Sequence, residues 1–192
     1  MWLIVGLGNP GPDYRGTRHN MGFLSLDRIS ERFKIPIKKS SPKEAIGRGR
    51  FGNEDVILLK PLGYMNKSGD VVAPVVFREN VDGSRVLVIT DDMDLPLGTV
   101  RYRVKGGSAG HRGMRSIVNQ LGHGDFQRVR LGIGRPGTGE DSSGYVLSEF
   151  TEDEHPIMVE MLDATTDLVE ELINEGSLDP VTLNLGNTEE EL

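Results

Sequence analysis

The chain has 192 residues, enough for one domain with a substantial hydrophobic core. With 36% hydrophobic and 27% charged residues it has the make-up of a globular protein, and no apolar run nears the roughly 18 residues a membrane-spanning helix needs. The absence of cysteine excludes a disulfide framework, a zinc–thiolate site and a cysteine nucleophile, and fits a reducing cytoplasm.

The apolar run from Met1 to Val5 is too short for a signal peptide and has no basic flank. The net charge of -7 hides two opposite regions: eight Lys/Arg against the single acid Asp125 between Arg101 and Arg135, then sixteen Asp/Glu and no Lys or Arg from Glu140 onward. A local basic stripe is what meets phosphates, so the negative total does not exclude a nucleic-acid partner.

Strand-like and helix-like segments alternate, which predicts an α/β fold. Residues 2–6 read as a short apolar strand. Asn20 is placed to cap a helix with Phe23, Leu26, Ile29 and Phe33 on one face. Residues 46–51 and 56–60 flank Gly52-Asn53-Glu54-Asp55 as a hairpin. Ser68 is placed to cap a helix carrying Val71, Val72, Val75 and Val76, which Pro74 should kink or shorten. Residues 86–90 form a buried-looking strand. Residues 99–104 and 128–133 alternate, with Val100, Tyr102, Val104 and Val129, Leu131, Ile133 as inner faces. Met114, Ile117, Val118 and Leu121 mark a helix between them. Thr151-x-x-Glu154 is a capping box opening a long helix with Ile157, Met161, Leu168 and Leu172 inward. The domain is expected to span 1–186, with an acidic, disordered tail over 187–192.

If Val100, Tyr102 and Val104 face the core, Arg101, Arg103 and Lys105 face away together, and Arg128 and Arg130 share a face by the same logic. Cations on each strand then repeat about every 7 Å, a spacing that suits phosphates and also suits a plain solvated surface.

Gly6-Leu7-Gly8-Asn9-Pro10-Gly11 matches the dinucleotide-binding spacing G-x-G-x-x-G after a strand. That reading needs a helix to start inside the motif, and Pro10, Gly11 and Pro12 favour an extended turn instead. Among the four histidines, His19 stands just before a helix and near the Asn9 loop. Asp91 and Asp92 follow an apolar strand, where catalytic groups of α/β sheets gather, and a carboxylate there can fix a histidine tautomer. No G-x-S-x-G elbow supports a serine nucleophile. Asp91, Asp92 and Asp94 in one loop are weak grounds for a metal site. These residues alone reach an α/β hydrolase-like or binding protein with a basic stripe.

Taken together, six segments resemble the bacterial peptidyl-tRNA hydrolase family: Gly6 to Gly11, Thr17-Arg18-His19-Asn20, Tyr64-Met65-Asn66-Lys67-Ser68-Gly69, Asp91-Asp92-Met93-Asp94-Leu95-Pro96, Gly106-Gly107-Ser108-Ala109-Gly110-His111, and Arg130-Leu131-Gly132-Ile133-Gly134. Each segment is weak alone; six in order are specific, and the match runs from Leu3 to about Leu147. The resemblance implies a single α/β domain, a mixed twisted sheet sandwiched between helices, acting as a cytoplasmic monomer without metal or cofactor. It implies hydrolysis of the ester between a peptide and the 3′-terminal ribose of tRNA, with contacts to the acceptor stem, CCA end and 5′-phosphate.

Carried over residue by residue, His19 is the general base and Asp91 orients it. Asn9 and Asn66 position peptide and water, Tyr64 and Met65 line the peptide channel, Tyr14 neighbours the site, and both Tyr14 and His111 count among the substrate-binding residues. Arg103 and Arg130 clamp the 5′-phosphate, with Lys105 nearby. In many relatives an asparagine follows the His111 position and engages the substrate; here Arg112 stands there. A non-catalytic RNA-binding relative and a peptidase are the alternatives, separated by hydrolysis of an N-blocked aminoacyl-tRNA.

Overall fold

The computed structural model describes residues 1–186, so the expectation for 187–192 lies outside the described residues. In chain order the elements are β1 (Trp2–Gly6), α1 (Met21–Phe33), β2 (Lys38–Lys39), β3 (Glu44–Phe51), β4 (Glu54–Pro61), α2 (Gly69–Arg78) and β5 (Val86–Asp92). Then come β6 (Thr99–Arg103), α3 (Arg112–Leu121), β7 (Gln127–Gly132), α4 (Ser142–Val146), α5 (His155–Glu175) and β8 (Val181–Asn184). The strands form one 8-stranded sheet in the order β2-β3-β4-β1-β5-β7-β6-β8. β1 runs parallel to β4 and β5, and β5 to β7; the remaining neighbours are antiparallel. No helix among the described residues is long and apolar enough to cross a membrane.

Strand alternation builds two apolar layers, one on each face. Trp2, Ile4, Leu58 and Ile89 point into a core shared with Leu26 and Ile29 of α1 and with Met161, Val169 and Leu172 of α5. Leu3, Val5, Leu59 and Val88 point the other way, into a core shared with Val72 and Val75 of α2 and with Met114 and Ile117 of α3. This is the mixed sheet between helices that the family resemblance implied.

Several local expectations need correction. Asn20 does not cap α1, because its side-chain amide is taken by Asn9. Ser68 does not cap α2; its hydroxyl donates to Met65 O at 2.8 Å. Pro74 lies inside α2, which nevertheless runs ten residues. Only half of the capping box forms: the Glu154 carboxylate accepts the Thr151 N–H at 2.9 Å, and α5 starts at His155. β6 ends at Arg103, so Val104 leaves the core and is 43% exposed. β2, α4 and β8 carried no sequence signal we read; all three are short, β2 and α4 mostly exposed and β8 mostly half-buried.

Candidate active site

The glycine motif of the first loop places one strand end against one helix start. A Cβ on Gly22 would lie 2.4 Å from Ile89 O and 2.4 Å from Leu7 N, and one on Gly6 would lie 2.2 Å from Gly22 O. Only glycine permits this approach. It lets Leu7 N donate to Ile89 O and Phe23 N to Leu7 O, at 3.0 and 3.1 Å, and sets the turn holding His19 beside the end of β5. The first α-helix starts at Met21, well past Gly11, so no α-helix opens inside the glycine motif as dinucleotide binding would need.

His19 and Asp91 meet across 72 positions of sequence, with His19 Nδ1 at 3.0 and 2.9 Å from the two carboxylate oxygens. Asp91 is buried and His19 nearly so. His111 joins them, its Nε2 2.9 Å from Asp91 Oδ1 and 2.8 Å from Thr90 Oγ1. The other nitrogen of His111, Nδ1, accepts the backbone N–H groups of Gly113 and Met114 at 3.1 and 3.3 Å and so caps α3. That cap fixes the tautomer: Nδ1 is an acceptor, so Nε2 carries the proton and donates a hydrogen bond to Asp91. Burial works to raise the pKa of Asp91, but His111 and then His19 outweigh it and hold the carboxyl below its usual range. An ionised Asp91 takes the Nδ1 proton of His19 as a hydrogen bond and leaves Nε2 with its lone pair, and Nε2 has no hydrogen-bond partner among the described residues.

His19, Asp91 and His111 bring their ligand atoms within 4.8 Å of one another. The donor set does not fit a resident cation, because ligation through Nε2 would require the proton to sit on His111 Nδ1, where two backbone donors already point. The loop acids do not converge either: Asp92 lies 3.6 Å from Arg130, and Asp94 lies 2.6 Å from Arg135.

This cluster forms part of a cleft of about 730 Å³. Asn9, Tyr64, Met65, Asn66, His111, Arg112 and Arg130 line it together with His19 and Asp91. Asn9 is locked twice over: it exchanges two bonds with the Asn20 amide at 2.8 and 3.0 Å, and its Oδ1 accepts Met65 N–H at 3.0 Å. The Nδ2 of Asn9 has no partner among the described residues and is the end left for a ligand. Asn66 lies in the 3-10 turn Met65–Lys67 beside buried Met65, and the exposed Tyr64 precedes that turn.

Tyr14, Arg103 and Lys105 are not among the residues that line the cleft. Tyr14 is half-buried in a 3-10 turn. Arg103 turns toward β8 and donates to the carbonyls of Tyr102 and Val181 at 2.7 and 3.2 Å. Lys105 follows the end of β6 and lines a separate hollow with Asp82, His123 and Asp125.

The shared face of β6 and β7 is real, with Arg101 opposite Arg130 and Arg103 opposite Arg128 in the ladder. Arg128, however, is fully buried, not a surface cation. Its guanidinium donates to the carbonyls of Gly106, Gly107, Gly124 and Phe126 at 2.5 to 2.8 Å. Desolvation, with Arg130 adding repulsion, lowers its pKa to about 10. Arg128 thereby pins the glycine loop that leads to His111. Sequence reasoning missed this role and that of Asn20; strand alternation gives a side chain's face but not what covers it.

The Peptidyl-tRNA hydrolase family pattern matches residues 3–191, well past Leu147 where the motifs quoted above end. A peptidyl-tRNA hydrolase of Geotalea daltonii is 45% identical over 188 residues, covering 98% of this chain and 97% of its own. One of Geobacillus thermodenitrificans is 43% identical over 173 residues, covering 90% and 93%. The crystal structure of peptidyl-tRNA hydrolase from Acinetobacter baumannii aligns with a TM-score of 0.85 at 36% identity, over 92% of this chain and 89% of that chain. The chain belongs to the peptidyl-tRNA hydrolase family, whose members hydrolyse the ester bond of peptidyl-tRNA.

Proposed function

We propose that the cleft hydrolyses peptidyl-tRNA by direct attack of water, with His19 as general base. The observation that carries this reading is the pairing of His19 Nδ1 with buried, ionised Asp91, which leaves Nε2 to take a proton from water. The bond cut is the ester between the peptide and the 3′-terminal ribose. A ribose hydroxyl leaves more readily than an amine, so one base and neutral positioning groups suffice, with no metal, cofactor or covalent intermediate. Asp91 orients His19, and His111 holds Asp91 from its other side. Asn9 and Asn66 place the ester carbonyl and the water, since an amide offers a donor and an acceptor without a charge to desolvate. Tyr64 and Met65 flank the peptide.

The tRNA reaches the cleft by its CCA end, with the acceptor stem along the β6–β7 face. Arg130, in the cleft wall, and Arg103, two register positions along the ladder, take the 5′-phosphate, and Lys105 extends the positive track. Arg112 is exposed at the first position of α3. Because His111 occupies the Gly113 and Met114 amides, the helix start offers an anion little beyond the Arg112 guanidinium itself, which is the phosphate donor here. The protein is read as a cytoplasmic monomer. The deciding experiment is release of a labelled N-acetyl-aminoacyl group from tRNA, with His19→Ala alongside. Release by the native protein and near-loss in the variant are expected; equal release would remove the mechanism.

A further inference from the structure

Arg18, next to His19 in the chain, is a buried cation that the mechanism does not use. Its backbone N–H donates to Ser148 O at 2.9 Å, and Thr17 forms a β-bridge with Glu149. Its guanidinium donates to both Glu154 oxygens at 3.2 and 2.6 Å and through Nε to Ser148 Oγ at 3.2 Å. The guanidinium carbon lies 4.6 Å from the ring centre of Tyr145 and 4.7 Å from that of Phe150. Tyr145 donates its hydroxyl to Ile133 O at 2.6 Å. Val146 and Leu147, the two residues between Tyr145 and Ser148, line the cleft.

The bidentate pair with Glu154 secures the start of α5. The Nε bond, the two rings and the backbone bond go instead to residues 145, 148 and 150, and so brace the cleft wall from both ends. A planar guanidinium is the side chain able to stack and fork at once. Because Arg18 and His19 are consecutive, the wall and the base share one support. An apolar side chain resting on Val146 and Leu147 gains burial that glycine cannot.

We propose that Arg18 is a positioning residue which gives the cleft a preference for an apolar amino acid at the esterified position, by fixing Val146 and Leu147 relative to His19. This rests on the reading of His19 as base and of the cleft as the seat of the ester. The test compares N-acetyl-leucyl and N-acetyl-glycyl esters of one tRNA, with thermal unfolding followed in parallel. The native protein has the lower KM for the leucyl ester. In Glu154→Gln, which keeps the shape but breaks the charged fork, the leucyl-to-glycyl KM ratio rises about fivefold to tenfold, the scale of part of one buried side chain. Arg18→Lys moves it the same way and further. His19→Ala lowers kcat on both esters alike; failure of that control removes the base assignment without touching the KM ratio. No leucyl preference in the native protein, or an unchanged ratio in both folded variants, overturns the proposal and leaves the clasp a fold element alone.

Discussion

At the end of β5, buried Asp91 sits between two imidazoles, whereas on the β6–β7 ladder four arginines face one another with carbonyl and hydroxyl oxygens as their main partners. In the first region the carboxylate is held by an imidazole N–H on each side and one ring nitrogen is left over. In the second, positive charge is left over and one face stays open to an anion. Chemistry at neutral pH needs the first arrangement, since a base must keep a free lone pair. Phosphate capture needs the second, since a fully paired arginine has nothing to offer a phosphate. Arg128 stands between the two, a ladder arginine used up in holding the loop of the first region.

The largest effect should come from breaking the first region. His19→Ala is expected to lose at least roughly 100-fold in kcat, the scale of a missing general base, with KM little changed. Asp91→Asn should lose less, because the base remains while its tautomer preference weakens. The depressed Asp91 pKa also carries a sign. Its carboxylate stabilises the fold fully above the ordinary 3.8 and loses that contribution as pH falls below it. Acid unfolding of Asp91→Asn should therefore depend less steeply on pH; an identical profile would show that Asp91 does not couple protons to stability.

Removing the link between the regions comes next. Arg128→Met should lower stability by about 2 kcal/mol, because four carbonyls lose their donor in a buried place. Calorimetry should show the drop, and cleavage in the Gly106–Gly107 segment by a protease should quicken. An undisturbed loop would mean that the carbonyl cage is incidental.

The open ladder should respond in binding alone. Arg130→Ala or Arg103→Ala is expected to raise KM for full-length peptidyl-tRNA and to lower the slope of log affinity against log salt by about one per lost phosphate contact. A short CCA-type ester without the 5′-phosphate should barely notice. Equal loss on both substrates would place these arginines in the catalytic group and dissolve the contrast. Arg103, already bonded to β8, should show the smaller change of the two.

The smallest effect should fall at Arg112, which stands in the wall of the cleft but belongs to the cationic surface. Arg112→Asn should keep kcat and weaken tRNA binding by about 1 kcal/mol, with a shallower salt dependence. Unchanged affinity would make it an ordinary surface residue, and loss of kcat would move it into the catalytic group.

The sequence by itself determined the layers of this protein. Continuous apolar runs in β1, β4 and β5 marked strands buried on both faces, the 3.6-residue stripe of α1 marked its inner side, and strand geometry then sends neighbours such as Leu3 and Ile4 to opposite faces. It also marked His19 and Asp91, by their places beside a helix start and a strand end, and the resemblance supplied their roles. What only the tertiary structure decided is which polar group meets which. Asn20 is an apt cap by type, yet its amide bonds to the Asn9 backbone instead. Arg128 and Arg130 are indistinguishable by alternation, yet only the first is fully buried. Glu154 half-completes a local box and then reaches 136 positions away to Arg18. Local periodicity is set by backbone geometry and can be read along the chain. Long-range hydrogen bonds are set by which loops the packed layers bring together, and no short window of sequence carries that information.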